Sequence, residues 1–246
     1  MIIDAHCHLK HGDAEKTEFA ADDVVRSMDA TGINKSVVFA MSTTTRHSID
    51  LAEQAVAQFP DRLIPYVYAL PSYERPVVTE LEEAICERGF RGIKLHLGEC
   101  TLADYVIDPV MELAGRLGAP CLLDLKGQAW VAESLASRFP QTSLLIAHMG
   151  QYLCTDPQVI DRFIEIAERH SNVWLDVSGV VTLWKIKDAA VRLGSKRLIW
   201  GTDGPLRTPD IASFVQIEMD KVRMLKLGKE AEQDILGGSL ASLLGL

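Results

Sequence analysis

No two of the five cysteines (Cys7, Cys86, Cys100, Cys121, Cys154) fall within a C-x-x-C spacing, and their number is odd. Neither a disulfide framework nor a thiolate zinc site is suggested by that pattern; reduced, mostly buried thiols are expected. Positive charge is also in short supply. Lysine and arginine total 25 against 34 aspartates and glutamates, for a net charge of −9, and no basic stripe gathers on any segment, so nucleic acid is not an expected partner. No apolar run approaches the ~18 residues of a membrane span, and no basic stretch precedes an apolar one at the start; no membrane partner and a cytoplasmic location are the expectations. Linkers are missing as well. No Pro/Gly/Ser-rich stretch, charge block or low-complexity segment divides the chain, which reads as one domain over residues 1–246.

What the chain does have is alternation. Short apolar or β-branched runs alternate with longer amphipathic stretches, the pattern of parallel βαβ units. Eight such runs occur: "MIIDA" at the start, "KSVVFAM" from Lys35, "RLIPYVYA" from Arg62, "GIKLHL" from Gly92, "APCLLDL" from Ala119, "SLLIAHM" from Ser143, "NVWLDVS" from Asn172 and "RLIWGTD" from Arg197. Helices are predicted between them over 21–31, 46–59, 75–89, 105–118, 129–139, 156–170, 182–194 and 209–226, several stopped by a glycine (Gly32, Gly89, Gly118, Gly194, Gly228). Eight strands and eight helices in this length give an α/β fold of the (β/α)8 TIM-barrel kind. A doubly wound open sheet would want a Gly-rich turn after the first strand, and "DAHCHLKHG" is not one.

In such a barrel, chemistry sits at the C-terminal ends of the strands. There the sequence places His6 and His8 on strand one, Lys94 and His96 on strand four, Asp124 and Lys126 on strand five, His148 on six, Asp176 and Ser178 on seven and Asp203 on eight. Regular strand alternation points His6 and His8 the same way, with Asp4 one step deeper on that face. Taken singly, most of these have a bland explanation: His148 as a hydrogen-bonded core histidine, Asp203 as a turn residue, Lys94 and Asp124 as an internal ion pair. Taken together, five separate strands ending in a metal-capable or acid–base residue are not explained that way. Imidazole nitrogen and carboxylate oxygen are what a borderline ion such as Zn²⁺ binds. His11, His47 and His170 lie in loop or helix contexts with no partner pattern and read as surface residues.

These motifs resemble the amidohydrolase superfamily of metal-dependent TIM-barrel enzymes. The likeness is to the branch that holds metal-dependent hydrolases, lactonases acting on pyrone dicarboxylates, and aminocarboxymuconate-semialdehyde and resorcylate decarboxylases. Its carriers are "IDAHCH" (3–8), "FPDRLIPYVYALP" (59–71), "RGFRGIKLH" (88–96), "LIAHMG" (145–150), "NVWLDVSG" (172–179), "RLIWGTDGP" (197–205) and the tail "DILGGSLASLLGL" (234–246). The resemblance implies that His6 and His8 bind metal, that Asp203 is ligand and proton acceptor, and that His148 polarises or protonates the substrate. Strand four's Lys94 and His96 match the family pattern too, with a less fixed role. The chain departs from the pattern in two places: "PCLLD" puts Asp124 where the branch has a metal-binding histidine, and Ser239 stands where the tail has asparagine. With Asp124 as a ligand the set is His6, His8, Asp124 and Asp203, and two carboxylates would favour a harder ion. The expected cofactor is therefore a divalent metal ion, zinc first and manganese second.

A metal-activated water attacking an ester, lactone or amide carbonyl, with Asp203 taking the proton, makes a hydrolase the first functional reading. Non-oxidative decarboxylation of a small unsaturated or aromatic acid is the alternative, and a catalytically silent barrel, supported only by Asp124, is a third. Arg46, Lys126, Trp130 and Arg207 follow strands two, five and eight, where they would hold a small anionic substrate or else be solvated surface groups. A barrel of this size often forms a homodimer, although no segment's apolar surplus demands one.

Overall fold

The computed structural model describes residues 1–9, 19–101, 103–207 and 209–246; His11 lies outside them. The strands are β1 (Ile3–His8), β2 (Lys35–Phe39), β3 (Leu63–Pro65), β4 (Val67–Tyr68), β5 (Ile93–His96), β6 (Cys121–Asp124), β7 (Leu144–Ile146), β8 (Val173–Asp176) and β9 (Leu198–Ile199). They pair in parallel in the orders β1-β2-β3 and β4-β5-β6-β7-β8-β9. β3 and β4 are two halves of the predicted third strand, parted at Tyr66. The Tyr66 N–H donates to Val38 O at 3.0 Å and the Val67 N–H to Gly92 O at 2.9 Å, so this strand bonds both of its neighbours. The other seam is closed by Ala5 N–H to Trp200 O at 3.1 Å, Asp203 N–H to His6 O at 2.7 Å and His8 N–H to Gly204 O at 2.6 Å. The result is the TIM-barrel order the alternation predicts.

The eight predicted helices appear as α1 (Ala21–Thr31), α2 (Thr45–Gln58), α3 (Val78–Glu87), α4 (Asp104–Leu117), α5 (Ala129–Arg138), α6 (Pro157–Arg169), α7 (Leu183–Leu193) and α8 (Ile211–Met224). α6 shows why. Asp156 accepts the Gln158 N–H as cap, Pro157 opens the first turn with its φ preset, and Ile160, Phe163, Ile164 and Ala167 form the buried stripe. No element is predicted over 229–246, yet the chain there forms α9 (Lys229–Gln233), a π turn (Asp234–Gly238) and α10 (Ser239–Leu244). Leu240 and Leu244 of α10 join Ile3, Val37, Ile64, Tyr66, Leu122, Leu145 and Ile199 in the barrel interior. A Cβ on Gly237 would lie 2.6 Å from Met1 O and 2.9 Å from Ile3 N, so only glycine lets this tail cross the start of β1. A second, larger apolar layer lies between strands and helices. Among the described residues no helix is long and apolar enough to cross a membrane.

Candidate metal centre

β1 does not follow plain alternation. Ile3 and Ala5 pack inside the barrel with Val37 and Phe39, whereas Cys7 and Leu9 pack with Val38 under the helices. The register against β2 shifts between Asp4 and Cys7. This bulge changes which face the later residues take, and it is what brings both His6 and His8 to the interior. The expectation that Asp4 shares their face is thereby corrected. Asp4 turns into the closing seam, where its carboxylate accepts the His6 N–H at 3.0 Å, the Thr202 N–H at 2.9 Å and the Thr202 hydroxyl at 2.7 Å. Burial pushes its carboxyl up to about 7.

His6 is fully buried, and its ring is fixed from behind: Nδ1 lies 2.8 Å from Asp176 Oδ2, the last residue of β8. Burial, then the nearby Lys94 charge, hold this imidazole well below its ordinary pKa, so it is neutral. With the Nδ1–H donating to Asp176, the network assigns Nε2 as a bare lone pair. Around that lone pair stand Asp203 Oδ1 at 3.1 Å and Lys94 Nζ at 3.1 Å, and the same Asp203 oxygen is 3.0 Å from His8 Nε2. An unprotonated nitrogen and a carboxylate oxygen at this separation repel unless a cation serves both. Lys94 supplies one positive charge. Donors about 2.0–2.2 Å from a common divalent ion would themselves be roughly 3 Å apart, which is the spacing of these atoms. The donor set His6, His8 and Asp203 therefore fits a divalent ion, and His6, His148 and Asp176 form a second, wholly buried grouping on the other side of the ring.

Asp124 is in neither grouping. Its Oδ2 lies 3.1 Å from His96 Nε2 and 3.6 Å from His148 Nε2, and its Oδ1 accepts the Lys126 N–H at 3.1 Å. Burial raises this carboxyl, but hydrogen bonding to His148 and His96 and the Lys94 charge outweigh it and hold Asp124 far below the carboxylate range. Asp203 is likewise held below the carboxylate range: burial opposes, while the hydrogen bond to His8 and the nearby His148 prevail. His148 moves the other way. Burial lowers it, yet Asp124, Asp203 and Asp176 raise it above the ordinary histidine value. Its Nδ1 is fixed on Ser178 O at 3.0 Å, leaving Nε2 facing Asp124 and, at 4.0 Å, Asp203 Oδ2. Lys94 is lowered by burial against the surrounding carboxylates.

Lys126, His148 and Asp203 all hold left-handed backbone, with φ of 48°, 58° and 56°. Non-glycine residues adopt this region at a cost of roughly 1–3 kcal/mol each, and they do so where a side chain must be aimed. Gly201 is equally constrained: a Cβ there would lie 2.7 Å from His6 Cβ and 2.9 Å from His6 N.

The sequence profile of a family described as amidohydrolase matches residues 3–246. The chain belongs to that family. Comparison with curated protein sequences gives no match. Among solved structures, this amidohydrolase is similar to a probable 2-pyrone-4,6-dicarboxylic acid hydrolase from Acinetobacter baumannii (17% identity, 100% of this chain and 99% of the other, TM-score 0.77). It is similar to 2,6-dihydroxybenzoate decarboxylase from Rhizobium (16%, 99% and 98%, TM-score 0.75). It is also similar to an amidohydrolase from Burkholderia multivorans with bound Zn (17%, 100% and 99%, TM-score 0.75). At these identities the likeness establishes the shared barrel.

Within the amidohydrolase barrel, the structure brings together His6, His8, Lys94, His96, Asp124, His148 and Asp203 from the strand ends. Lys126 is exposed at the mouth with Nζ beside Gly98. The other three expected substrate contacts are not brought in. Arg46 pairs with Glu83 at 3.3 Å on the helical layer, Trp130 is 70% exposed, and the Arg207 guanidinium lies over Phe19, 5.0 Å from the ring centre. His170 pairs with Glu133 at 2.8 Å. Two groups go beyond the sequence reading. Asp176 stands visibly at a strand end, but its role as the His6 anchor needs a contact across 170 residues. Tyr152 sets its ring against His148, 5.0 Å between centres, and Gly179 gives it room.

Proposed function

We propose that this amidohydrolase is a metal-dependent hydrolase acting on an ester, lactone or amide of a small anionic substrate. The observation that carries the reading is the meeting of His6 Nε2, His8 Nε2 and Asp203 Oδ1 at 3.0–3.1 Å with Asp176 anchoring His6 from behind. His6, His8 and Asp203 would hold the ion, with zinc the first choice, as in the Burkholderia multivorans structure, and manganese the second. Such an ion, when bound, polarises a carbonyl and lowers the pKa of water toward about 7. The remaining work falls to side chains. Asp203, kept ionised, accepts the proton of the attacking water at Oδ2. His148, its pKa raised by Asp124 and Asp203 against burial, donates to the developing oxyanion and then to the leaving group. Lys126, exposed at the mouth, holds a substrate carboxylate.

A carboxy-lyase is the second reading, favoured by His148, whose raised pKa suits it as a proton donor of the kind carbon protonation needs, and by the likeness to the Rhizobium decarboxylase. A panel of lactones, aryl esters and hydroxybenzoates, assayed with zinc- or manganese-loaded protein for both ring-opened acid and released CO₂, separates the two. Acid without CO₂ is the expected outcome. CO₂ release moves the assignment to the lyase, and no turnover of any member sinks both in favour of a silent barrel.

A further inference from the structure

Beside the centre, the loops that follow β2, β4 and β5 enclose a cavity of about 450 Å³ at the barrel mouth. We infer that it is a subsite for a planar aromatic part of the substrate carrying a hydrogen-bond donor, hydroxyl or ammonium, and that it refuses a carboxylate. This deepens the hydrolase reading and rests on it for the word substrate. Tyr73 and Tyr105 stand at its rim, 81% and 70% exposed, with rings edge to face at 6.1 Å between centres. Large aromatic rings so open to solvent are uncommon in a monomer's surface unless something covers them, and this pair leaves its faces for a third ring.

The wall toward the centre is Glu99. Its carboxylate is exposed yet fixed: Oε1 accepts the Ser42 hydroxyl at 3.0 Å, and Oε2 accepts the Ser42 N–H at 3.2 Å and the Tyr68 hydroxyl. Tyr68 is register partner to Lys94, so the same strands that build the centre also fix Glu99. Ser42 holds left-handed backbone, φ 58°, to make both of its contacts. A carboxylate offers about four acceptor positions and three are used, leaving one on Oε1 for a ligand donor. Burial opposes ionisation of Glu99, but its hydrogen bonds hold it below the usual carboxylate range. Among the described lining residues the one cation, Arg75, is paired with Glu80 at 2.5 Å. The cavity thus presents aromatic faces and negative charge, suited to a donor-bearing ring.

The test is saturation-transfer NMR and calorimetry with benzylamine, phenol and benzoate as probes, on wild type, Glu99→Gln and Tyr105→Ala. Metal content is measured on the same samples, so that loss of the centre registers separately from loss of the subsite. In the part of the binding that Tyr105→Ala removes, wild type is expected to prefer benzylamine and phenol to benzoate at least about tenfold. Glu99→Gln should abolish that preference, and Tyr105→Ala, whose exposed ring supports no core, should weaken all ring binding. Benzoate binding that Tyr105→Ala removes as fully as benzylamine binding, or unchanged affinities in both variants, overturns the subsite whatever the metal content shows.

Discussion

Replacing Asp176 by asparagine tests the tautomer on which the centre depends. Asp176 Oδ2 accepts both the Ser178 hydroxyl at 2.6 Å and the His6 ring nitrogen at 2.8 Å, and Oδ1 accepts the Ser178 N–H at 2.8 Å. Asparagine fills the same space but offers one acceptor oxygen and no charge, so His6 is no longer held with its proton on Nδ1 and its lone pair on Nε2. Carboxylates standing behind ligand histidines typically contribute 10–100-fold in metal affinity, or about 1.4–2.7 kcal/mol. Stability should change less. A hydrogen bond to a charged group contributes about 1.5–3 kcal/mol, but burial already raises Asp176 and disfavours its charge, and removing that charge offsets part of the loss. The assay is a zinc competition titration against a chromogenic chelator, run beside thermal unfolding of the apo protein. Weakened zinc binding with the melting temperature nearly kept is the expected pair of results. Unchanged zinc affinity refutes the anchoring role.

Gly201→Ala should press a methyl into the His6 backbone, lowering stability by about 1–3 kcal/mol in denaturant unfolding and weakening metal binding with it; a variant as stable as wild type would show that the seam has slack. Leu240→Ala, which empties part of the barrel floor, should cost about 2–5 kcal/mol in the same assay. Buried Glu218 receives the Gly179 N–H at 3.2 Å, and burial raises its carboxyl above 4.5. With its folded pKa above its unfolded one, its contribution to stability is complete below about 4.5 and is lost as pH rises through the folded value. Glu218→Gln should therefore flatten the decline in melting temperature over that window, and identical slopes for the two proteins would exclude the assignment.

The barrel was legible because its signals are local: a glycine stop such as Gly118, amphipathic stretches, and β-branched runs at near-regular spacing. The floor was not. Leu240 and Leu244 form their stripe on a helix of six residues entered through a π turn, too short for periodicity to identify. At the centre, the strand-end positions of His6, His8, His148 and Asp203 are readable, but direction is not. Arg46 and Arg207 follow the right strands, yet Arg46 pairs with Glu83 and Arg207 lies over Phe19, while Trp130 is exposed. Strand order specifies which loop a residue occupies, and packing alone specifies where its side chain goes. The β1 bulge escaped for a related reason: period-two alternation assumes an unbroken ladder, and the shift between Asp4 and Cys7 breaks it.

Metal content of the purified protein, by inductively coupled plasma mass spectrometry, decides whether His6, His8 and Asp203 hold an ion. Wild type should carry or take up close to one equivalent of zinc or manganese, and the His6→Ala/His8→Ala double variant should lose it; Asp124→Ala, which removes a carboxylate paired with His96 and His148 and outside both donor groupings, should retain it. A wild type that stays empty after incubation with either ion, or a double variant that holds metal as well as wild type, contradicts the account.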